Sequence, residues 1–127
     1  MQAMSTATPD TDRPTVYFDG ACPVCSREIA MYRRQPGAEQ VGWVDVTACD
    51  AAALGTGLNR DAALARLHLR RADGTLVSGA AAFIGLWASL PRTAWIARLL
   101  DHRPIVALLD LGYTIFLRLR PLWRPTR

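Results

Sequence analysis

The stretch Asp-Gly-Ala-Cys-Pro-Val-Cys at 19–25 constrains the fold of this chain more than any other part of the sequence. The apolar run just before it, at 15–18, predicts a short buried strand that ends at the Asp-Gly pair. Just after it, Pro23 suits the first turn of a helix, and apolar residues recur at helical spacing until about residue 34. Two cysteines are therefore expected at the N-terminus of a helix that directly follows a strand.

The elements further along the chain predict a small α/β domain. Residues 41–46 form the second predicted strand, so that strand, helix and strand make a right-handed βαβ unit with parallel strands. Alternation at 66–71, the turn Ala72-Asp73-Gly74 and a return at 75–77 predict a β-hairpin. We expect a helix at 48–54 capped by Thr47, another capped by Asn59 or Asp61 and ending at Ala65, and helices at 80–90, 93–100 and 104–119. A βαβ unit, a β-hairpin and C-terminal helices around a four-stranded mixed sheet follow the plan of the thioredoxin-like fold.

Length and composition favour one domain, expected at 14–120, between a disordered tail at 1–13 and a basic tail at 121–127. Half of the 127 residues are apolar, which suffices for a single core. Three cysteines are too few, and odd in number, for the disulfide framework of a secreted protein. The polar N-terminus has no apolar run typical of a signal peptide. We therefore expect a cytoplasmic monomer with reduced thiols.

The formal charge of +4 is concentrated at the C-terminus, where Arg118, Arg120, Arg124 and Arg127 occur without an acidic residue. Charges elsewhere are mixed, so we expect no nucleic-acid partner, and arginines at a helix end also suit the helix dipole. The apolar segment at 105–119 is too short to span a bilayer. It predicts a core-packing helix, with weak contact to a membrane surface as the alternative.

Cysteines at this position favour thiol chemistry, because a helix N-terminus presents unpaired N–H groups and a partial positive charge that stabilise a thiolate. Cys22 stands at that position and is interpreted as the attacking thiol. Cys25, one helical turn on, is expected beneath it, facing inward, as the resolving thiol. Asp19 is either the proton acceptor for Cys25 or a turn-forming residue that bonds its own backbone.

A zinc site is the main competing use of the paired cysteines. It would need further ligands, for which the sequence offers Cys49, His68 and His102, and none of these forms a second close pair. Cys49 is more simply a small apolar filler or a helix-start residue, and His68 a packed or surface histidine. A non-enzymatic zinc-binding or redox-sensing module that uses the same cysteines remains the alternative function.

Asp19, Cys22 and Cys25 match the Asp-x-x-Cys-x-x-Cys motif of the DCC family, which the chain resembles over about residues 14 to 120. Leu-His-Leu at 67–69, Asp73-Gly74, Gly79 and Tyr113 follow in a family-like order. The resemblance implies a thioredoxin-like thiol–disulfide oxidoreductase that acts through Cys22 and Cys25, with Asp19 as the third motif residue. We expect no cofactor, a protein or small thiol or disulfide as substrate, and glutathione or a thioredoxin-like protein as reductant. Unlike thioredoxins and glutaredoxins, the chain has no proline at 60–65, before the third strand.

Overall fold

The computed structural model describes residues 13–122, which form a mixed α/β fold with a four-stranded sheet in the order β2-β1-β3-β4. The strands are β1 (Thr15–Phe18), β2 (Gly42–Asp45), β3 (His68–Arg70) and β4 (Leu76–Ser78). The α-helices are α1 (Pro23–Arg33), α2 (Arg60–Ala65), α3 (Ala80–Ser89), α4 (Ala94–Leu100) and α5 (Arg103–Leu119). Short 3-10 helices cover Ala38–Gln40, Ala51–Leu54 and Arg120–Leu122.

The pairing of the strands confirms both predicted supersecondary units. β1 runs parallel to β2, with α1 as the crossover between them. β3 runs antiparallel to β1 and pairs with β4 as an antiparallel hairpin. This mixed sheet with its helices is consistent with the thioredoxin-like fold that the sequence predicts.

β1 is buried along its whole length and divides the core into two parts. Side chains alternate across a strand, so Val16 and Phe18 enter a larger cluster with residues of α1 and α3. Tyr17 points the other way, into a smaller cluster with residues of α2 and of the 3-10 helix at 51–54. The end of β1, where the cysteine motif begins, is therefore held from both faces of the sheet.

Two cap predictions are resolved by the structure. Thr47 does not cap a helix at 48–54: its side chain donates to Asp45 Oδ1 over 2.6 Å, and a 3-10 helix begins only at Ala51. Asp50 caps that helix instead, because its carboxylate reaches the backbone N–H of Ala53. Of the two residues considered for α2, Asn59 is the cap and accepts from the N–H of Ala62 over 2.8 Å.

The expectation that the last helix packs into the core is wrong for one of its faces. α5 packs against α3, and the hydroxyl of Tyr113 accepts from the backbone N–H of Leu67 over 2.7 Å. However, none of its residues is buried, since α5 covers the domain from outside. Within residues 13–122, no helix combines the length and the apolar character needed to cross a membrane. The predicted tails fall outside the described residues, apart from Arg13 and the pair Pro121 and Leu122.

Candidate active site

The loop between β1 and α1 has a tight geometry that begins at Gly20. Its backbone N–H donates to Asp45 Oδ1 over 3.1 Å, which ties the loop to the end of β2. A Cβ atom at position 20 would overlap the Asp45 carboxylate, so only glycine fits there. Ser26 then donates its hydroxyl to the carbonyl of Gly20 over 2.8 Å and fastens the first turn of α1 to the loop. The local sequence thus holds the intervening cysteine in one position.

Asp19 is a buried carboxylate at the end of β1. Its Oδ1 accepts from the backbone N–H of Ala21 over 3.0 Å, which confirms that it forms the turn before the cysteines. Its Oδ2 lies 3.7 Å from Nη1 of Arg120, whose side chain is also largely buried. Arg120 also donates to the carbonyl of Leu64 over 2.9 Å. The charge of Asp19 is therefore partly balanced by an arginine that comes from the opposite end of the chain.

Cys22 is the N-cap residue of α1, in extended conformation, with Pro23 following at the first helical position. Its Sγ accepts from the backbone N–H of Cys25 over 3.4 Å. Its own N–H donates to the carbonyl of Asp19 over 3.2 Å. The sulfur therefore receives one of the unpaired N–H groups of the helix start, as the sequence predicts.

The exposure of the two cysteines is the reverse of what the sequence predicts. Cys22 is 0% exposed, whereas Cys25 is partly exposed and lines a cavity. The reason is the cap itself: to accept the N–H of Cys25, the Cys22 side chain turns back over the first turn and lies beneath it. Cys25 then occupies the side of α1 that faces the cavity, so it does not face inward.

The thiol of Cys25 holds its proton strongly. Burial, a side-chain hydrogen bond with Cys22 and the negative charge that Cys22 carries when ionised raise the pKa of Cys25 to about 12, and Asp19 adds to the effect. Arg120 opposes it, since its positive charge favours the Cys25 thiolate. In the dithiol state Cys25 is therefore a neutral proton donor beside the Cys22 sulfur.

The cavity beside Cys25 has a volume of about 190 Å³ and a mainly apolar lining. Its apolar side chains include Val24, Leu64, Phe83 and Phe116. The polar side chains around it are Asp19, Cys25, Glu28, Arg66, Tyr113 and Arg120. The cavity could therefore take a small apolar group and present it to the Cys25 sulfur.

Four of these polar residues, Glu28, Arg66, Tyr113 and Arg120, are not among the site residues that the sequence predicts. Glu28 lies one turn after Cys25 on α1, and burial raises the pKa of its carboxyl. The spacing of three residues could have indicated it. Burial raises the pKa of Tyr113 to about 12, so its hydroxyl stays neutral. Tyr113 and Arg120 arrive from α5 and the turn after it, and no local pattern links them to the cysteines.

The residues considered as further zinc ligands lie elsewhere. His68 is half-buried on β3 with its Nδ1 2.9 Å from the carbonyl of Arg66, and burial lowers its pKa. Cys49 packs against the smaller core cluster, and His102 is exposed before α5. In the described part of the chain, no three side chains of His, Cys, Asp or Glu are grouped to hold a metal ion.

Comparison with known proteins shows which family the chain resembles. The chain is 28% identical over 105 residues to a protein of Arabidopsis thaliana described as uncharacterized and chloroplastic, and the match covers 81% of this chain and 49% of that protein. The chain thus spans about half the length of this curated relative. No solved structure matches. The profile of the DCC1-like thiol-disulfide oxidoreductases matches residues 16–125, almost the whole chain. The protein belongs to the DCC1-like thiol-disulfide oxidoreductase family.

Proposed function

We propose that the protein exchanges thiols and disulfides through a Cys22–Cys25 dithiol that cycles with an intramolecular disulfide. One observation carries the proposal: the Cys22 sulfur caps a helix N-terminus while the adjacent Cys25 thiol is held neutral at the mouth of a cavity. A pair with one sulfur stabilised as an anion and the other kept protonated is what stepwise disulfide exchange requires. Membership of the family supports the same chemistry.

The exchange has two steps. The Cys22 thiolate attacks one sulfur of a substrate disulfide, forms a Cys22–substrate disulfide and releases the other substrate sulfur as a thiolate. Cys25 then loses its proton and attacks the Cys22 sulfur, which forms the Cys22–Cys25 bond and releases the second substrate thiol. Two electrons pass from the dithiol to the substrate, and the reverse sequence oxidises a substrate dithiol.

The first step prepares the second. When Cys22 is bonded to substrate it no longer carries a charge, so one cause of the raised pKa of Cys25 is removed and the hydrogen bond between the two side chains weakens. Arg120 continues to favour the Cys25 thiolate. Asp19, which lines the same cavity, is the proposed acceptor of the Cys25 proton, in addition to its part in the turn.

Access to Cys22 is the step that the resting geometry restrains. Because the sulfur is buried, a substrate can reach it only when the exposed Pro23–Val24 turn is displaced. The apolar cavity beside Val24 suits an apolar side chain of a protein substrate, or the apolar part of a small disulfide. Glutathione or a thioredoxin-like protein is the proposed reductant, and the protein acts as a monomer. A cytoplasmic compartment completes the proposal, in keeping with an odd number of cysteines.

Single-cysteine variants test the assignment of the two sulfurs. The variants Cys22→Ser and Cys25→Ser are made in a Cys49→Ser background, so that each protein keeps one cysteine. Each variant is mixed at neutral pH with an aromatic disulfide, and the rate of reaction is followed by the absorbance of the aromatic thiol that is released. We expect the Cys25→Ser variant, which keeps Cys22, to react at least about tenfold faster, because burial still raises the pKa of Cys25 in the other variant. Equal rates, or faster reaction of the Cys22→Ser variant, would reverse the roles.

The same background tests the reaction itself and the role of Asp19. In glutathione buffers of defined ratio, mass and thiol counts should show a reversible Cys22–Cys25 disulfide between about −270 and −120 mV, the span of thioredoxin-like proteins. A pair that stays reduced and retains zinc would overturn the proposal in favour of a binding module.

The Asp19→Asn variant tests the proposed proton acceptor. It should slow the attack of Cys25 on the Cys22–glutathione disulfide, which forms the Cys22–Cys25 bond. An unchanged rate would mean that Asp19 only forms the turn.

A further inference from the structure

The outer face of α5, continued by the 3-10 helix at 120–122, carries a row of exposed apolar side chains. This outer stripe consists of Leu108, Leu111, Ile115, Leu119 and Leu122, which are between 48% and 81% exposed. Their spacing of three or four residues places them on one side of the helix. A continuous apolar row of this length on a surface indicates a binding face, since single exposed apolar residues are ordinary but rows are not.

The other face of α5 already makes the contacts that hold the helix to the domain. The hydroxyl of Tyr113 accepts from the backbone N–H of Leu67, the residue before β3, and Asp110 forms an ion pair with Arg66. Arg120, just past the helix, bonds the carbonyl of Leu64. The outer stripe is therefore not needed to fasten α5. A helix that is apolar on both faces normally lies between two apolar surroundings, of which the domain supplies one.

The sequence from residue 111 onward carries charges of one sign. It has four arginines, Arg118, Arg120, Arg124 and Arg127, and no acidic residue, and of these Arg120 is largely buried beside Asp19. The acidic residue just before this stretch, Asp110, has a half-exposed side chain whose charge is paired, because it accepts from Arg66 as well as from the N–H of Ala80. Trp123 follows Leu122 in the sequence. The surroundings that fit an apolar row followed in the sequence by arginines and a tryptophan are an apolar layer beneath negative charges.

The composition of the outer stripe favours a lipid surface over a protein partner. Paired helices fix their register and their partner through a polar residue within the apolar seam and through charges beside it. The outer stripe has only leucine and isoleucine side chains, with Gly112 among them. A bilayer surface needs no register. It requires an apolar face that can sink below the headgroups and cations that meet them.

We propose that α5 lies flat on an anionic lipid surface, with the outer stripe below the headgroups, and that the charge of the C-terminal arginines strengthens this binding. The helix of 17 residues is long enough to form such a contact without crossing the bilayer. Asp19, Cys25 and the cavity lie on the inner side of α5, so the thiol pair stays within the domain while the protein is bound. The proposal is independent of the thiol exchange.

Vesicle flotation with the full chain tests this. We expect the protein to float with phosphatidylcholine vesicles that contain phosphatidylglycerol and to stay behind with phosphatidylcholine alone. Binding should fall steeply between about 0.1 M and about 0.5 M salt, because the Debye length shortens. The Ile115→Glu variant should lose at least about tenfold in affinity, since it buries a charge below the headgroups. Replacing Arg118, Arg124 and Arg127 by glutamine should lower affinity and weaken the salt dependence.

The matched control is Leu99→Glu on α4, which changes a similarly exposed leucine that is not part of the outer stripe. It should bind like the unaltered protein, and unfolding curves should show that both glutamate variants are folded. Equal binding to neutral vesicles, or unchanged binding of the Ile115→Glu variant, would overturn the proposal. The proposal would also be overturned if the unaltered protein were a dimer that did not bind vesicles and the Ile115→Glu variant were a monomer. The outer stripe would then contact a second copy of the chain.

Discussion

Arg70 shows how a single charged residue can organise one side of the sheet. It is buried on β3 and its guanidinium donates to Tyr17 Oη over 3.2 Å and to the carbonyls of Leu54 and Thr56 over 3.0 and 2.7 Å. It also lies 5.9 Å from the centre of the Tyr17 ring. It donates at longer range to the carbonyl of Gly74 over 3.5 Å. One side chain thus fastens the 51–57 segment to two strands, and its charge is compensated by bonds to four acceptors.

The Arg70→Met variant should lower the free energy of unfolding by about 2–3 kcal/mol, because three backbone carbonyls and a hydroxyl lose their donor while the apolar volume is kept. The neighbouring Arg71→Met is the control, since Arg71 is exposed and should change stability by no more than about 0.5 kcal/mol. Denaturant unfolding measures both. Equal effects of the two variants would show that the Arg70 hydrogen bonds contribute little.

Residue patterns predict which side chains share a face, but they do not reveal what covers that face. Alternation places Arg70 and His68 opposite Leu67 and Leu69, and the register confirms the strand. The polar face is nevertheless covered, because the segments at 51–57 and α2 pack over it. The reversed exposure of Cys22 and Cys25 has the same origin: spacing identifies the helix start, whereas the direction of the cap side chain depends on the loop.

Two helices contain an interior glycine, and the surroundings of the two glycines differ completely. Gly85 in α3 faces β3, where an added Cβ would overlap the side chain of the buried Leu69. Gly112 in α5 has no atom within 4 Å of the position that a Cβ would take. The first glycine is therefore required by close packing of α3 on the sheet, and the second is not.

The Gly85→Ala variant should be destabilised by about 1–2 kcal/mol, because the overlap with Leu69 outweighs the higher helix propensity of alanine. The Gly112→Ala variant should instead gain up to about 1 kcal/mol, since nothing opposes the propensity. Thermal unfolding of the two variants beside the unaltered protein measures whether each substitution raises or lowers the stability. A gain in both variants would contradict the close approach of α3 to β3.

Most elements could be predicted from local patterns, with bounds that differ by one or two residues. β1 is predicted to the residue, since Asp19-Gly20 ends it sharply, and the hairpin follows from Asp73-Gly74. The helix at 48–54 is shortened because Asp45 binds the Thr47 side chain. The position of α5 could not be predicted, since its periodicity is the same for a helix inside the core and for one that covers it.

The whole molecule is arranged around the two interior strands. β1 and β3 lie between β2 and β4, and β1 contributes to both core clusters. α5 has no buried residue and meets the larger cluster through the partly buried Tyr113. Opening of α5 alone therefore exposes little apolar surface, whereas opening of β1 exposes the entire core.

Hydrogen exchange should reproduce this order. Amides of β1 and β3 should exchange slowest, and amides in the second half of α5 at least about tenfold faster, because local opening of that helix costs less than global unfolding. Peptide-resolved exchange measured by mass spectrometry gives both regions from one sample. Protection of α5 equal to that of β1 would mean that the helix opens only when the whole domain unfolds.

The cap formed by the Cys22 sulfur also couples the geometry of the start of α1 to the reduction potential of the cysteine pair. In the exchange that we propose, an anionic sulfur is stabilised by the first-turn N–H of Cys25, and a disulfide sulfur, being neutral, is stabilised less. Each 1.4 kcal/mol of that preference raises the reduction potential by about 30 mV. Substitutions that tighten or loosen the first turn would therefore alter the direction of electron flow without changing either cysteine.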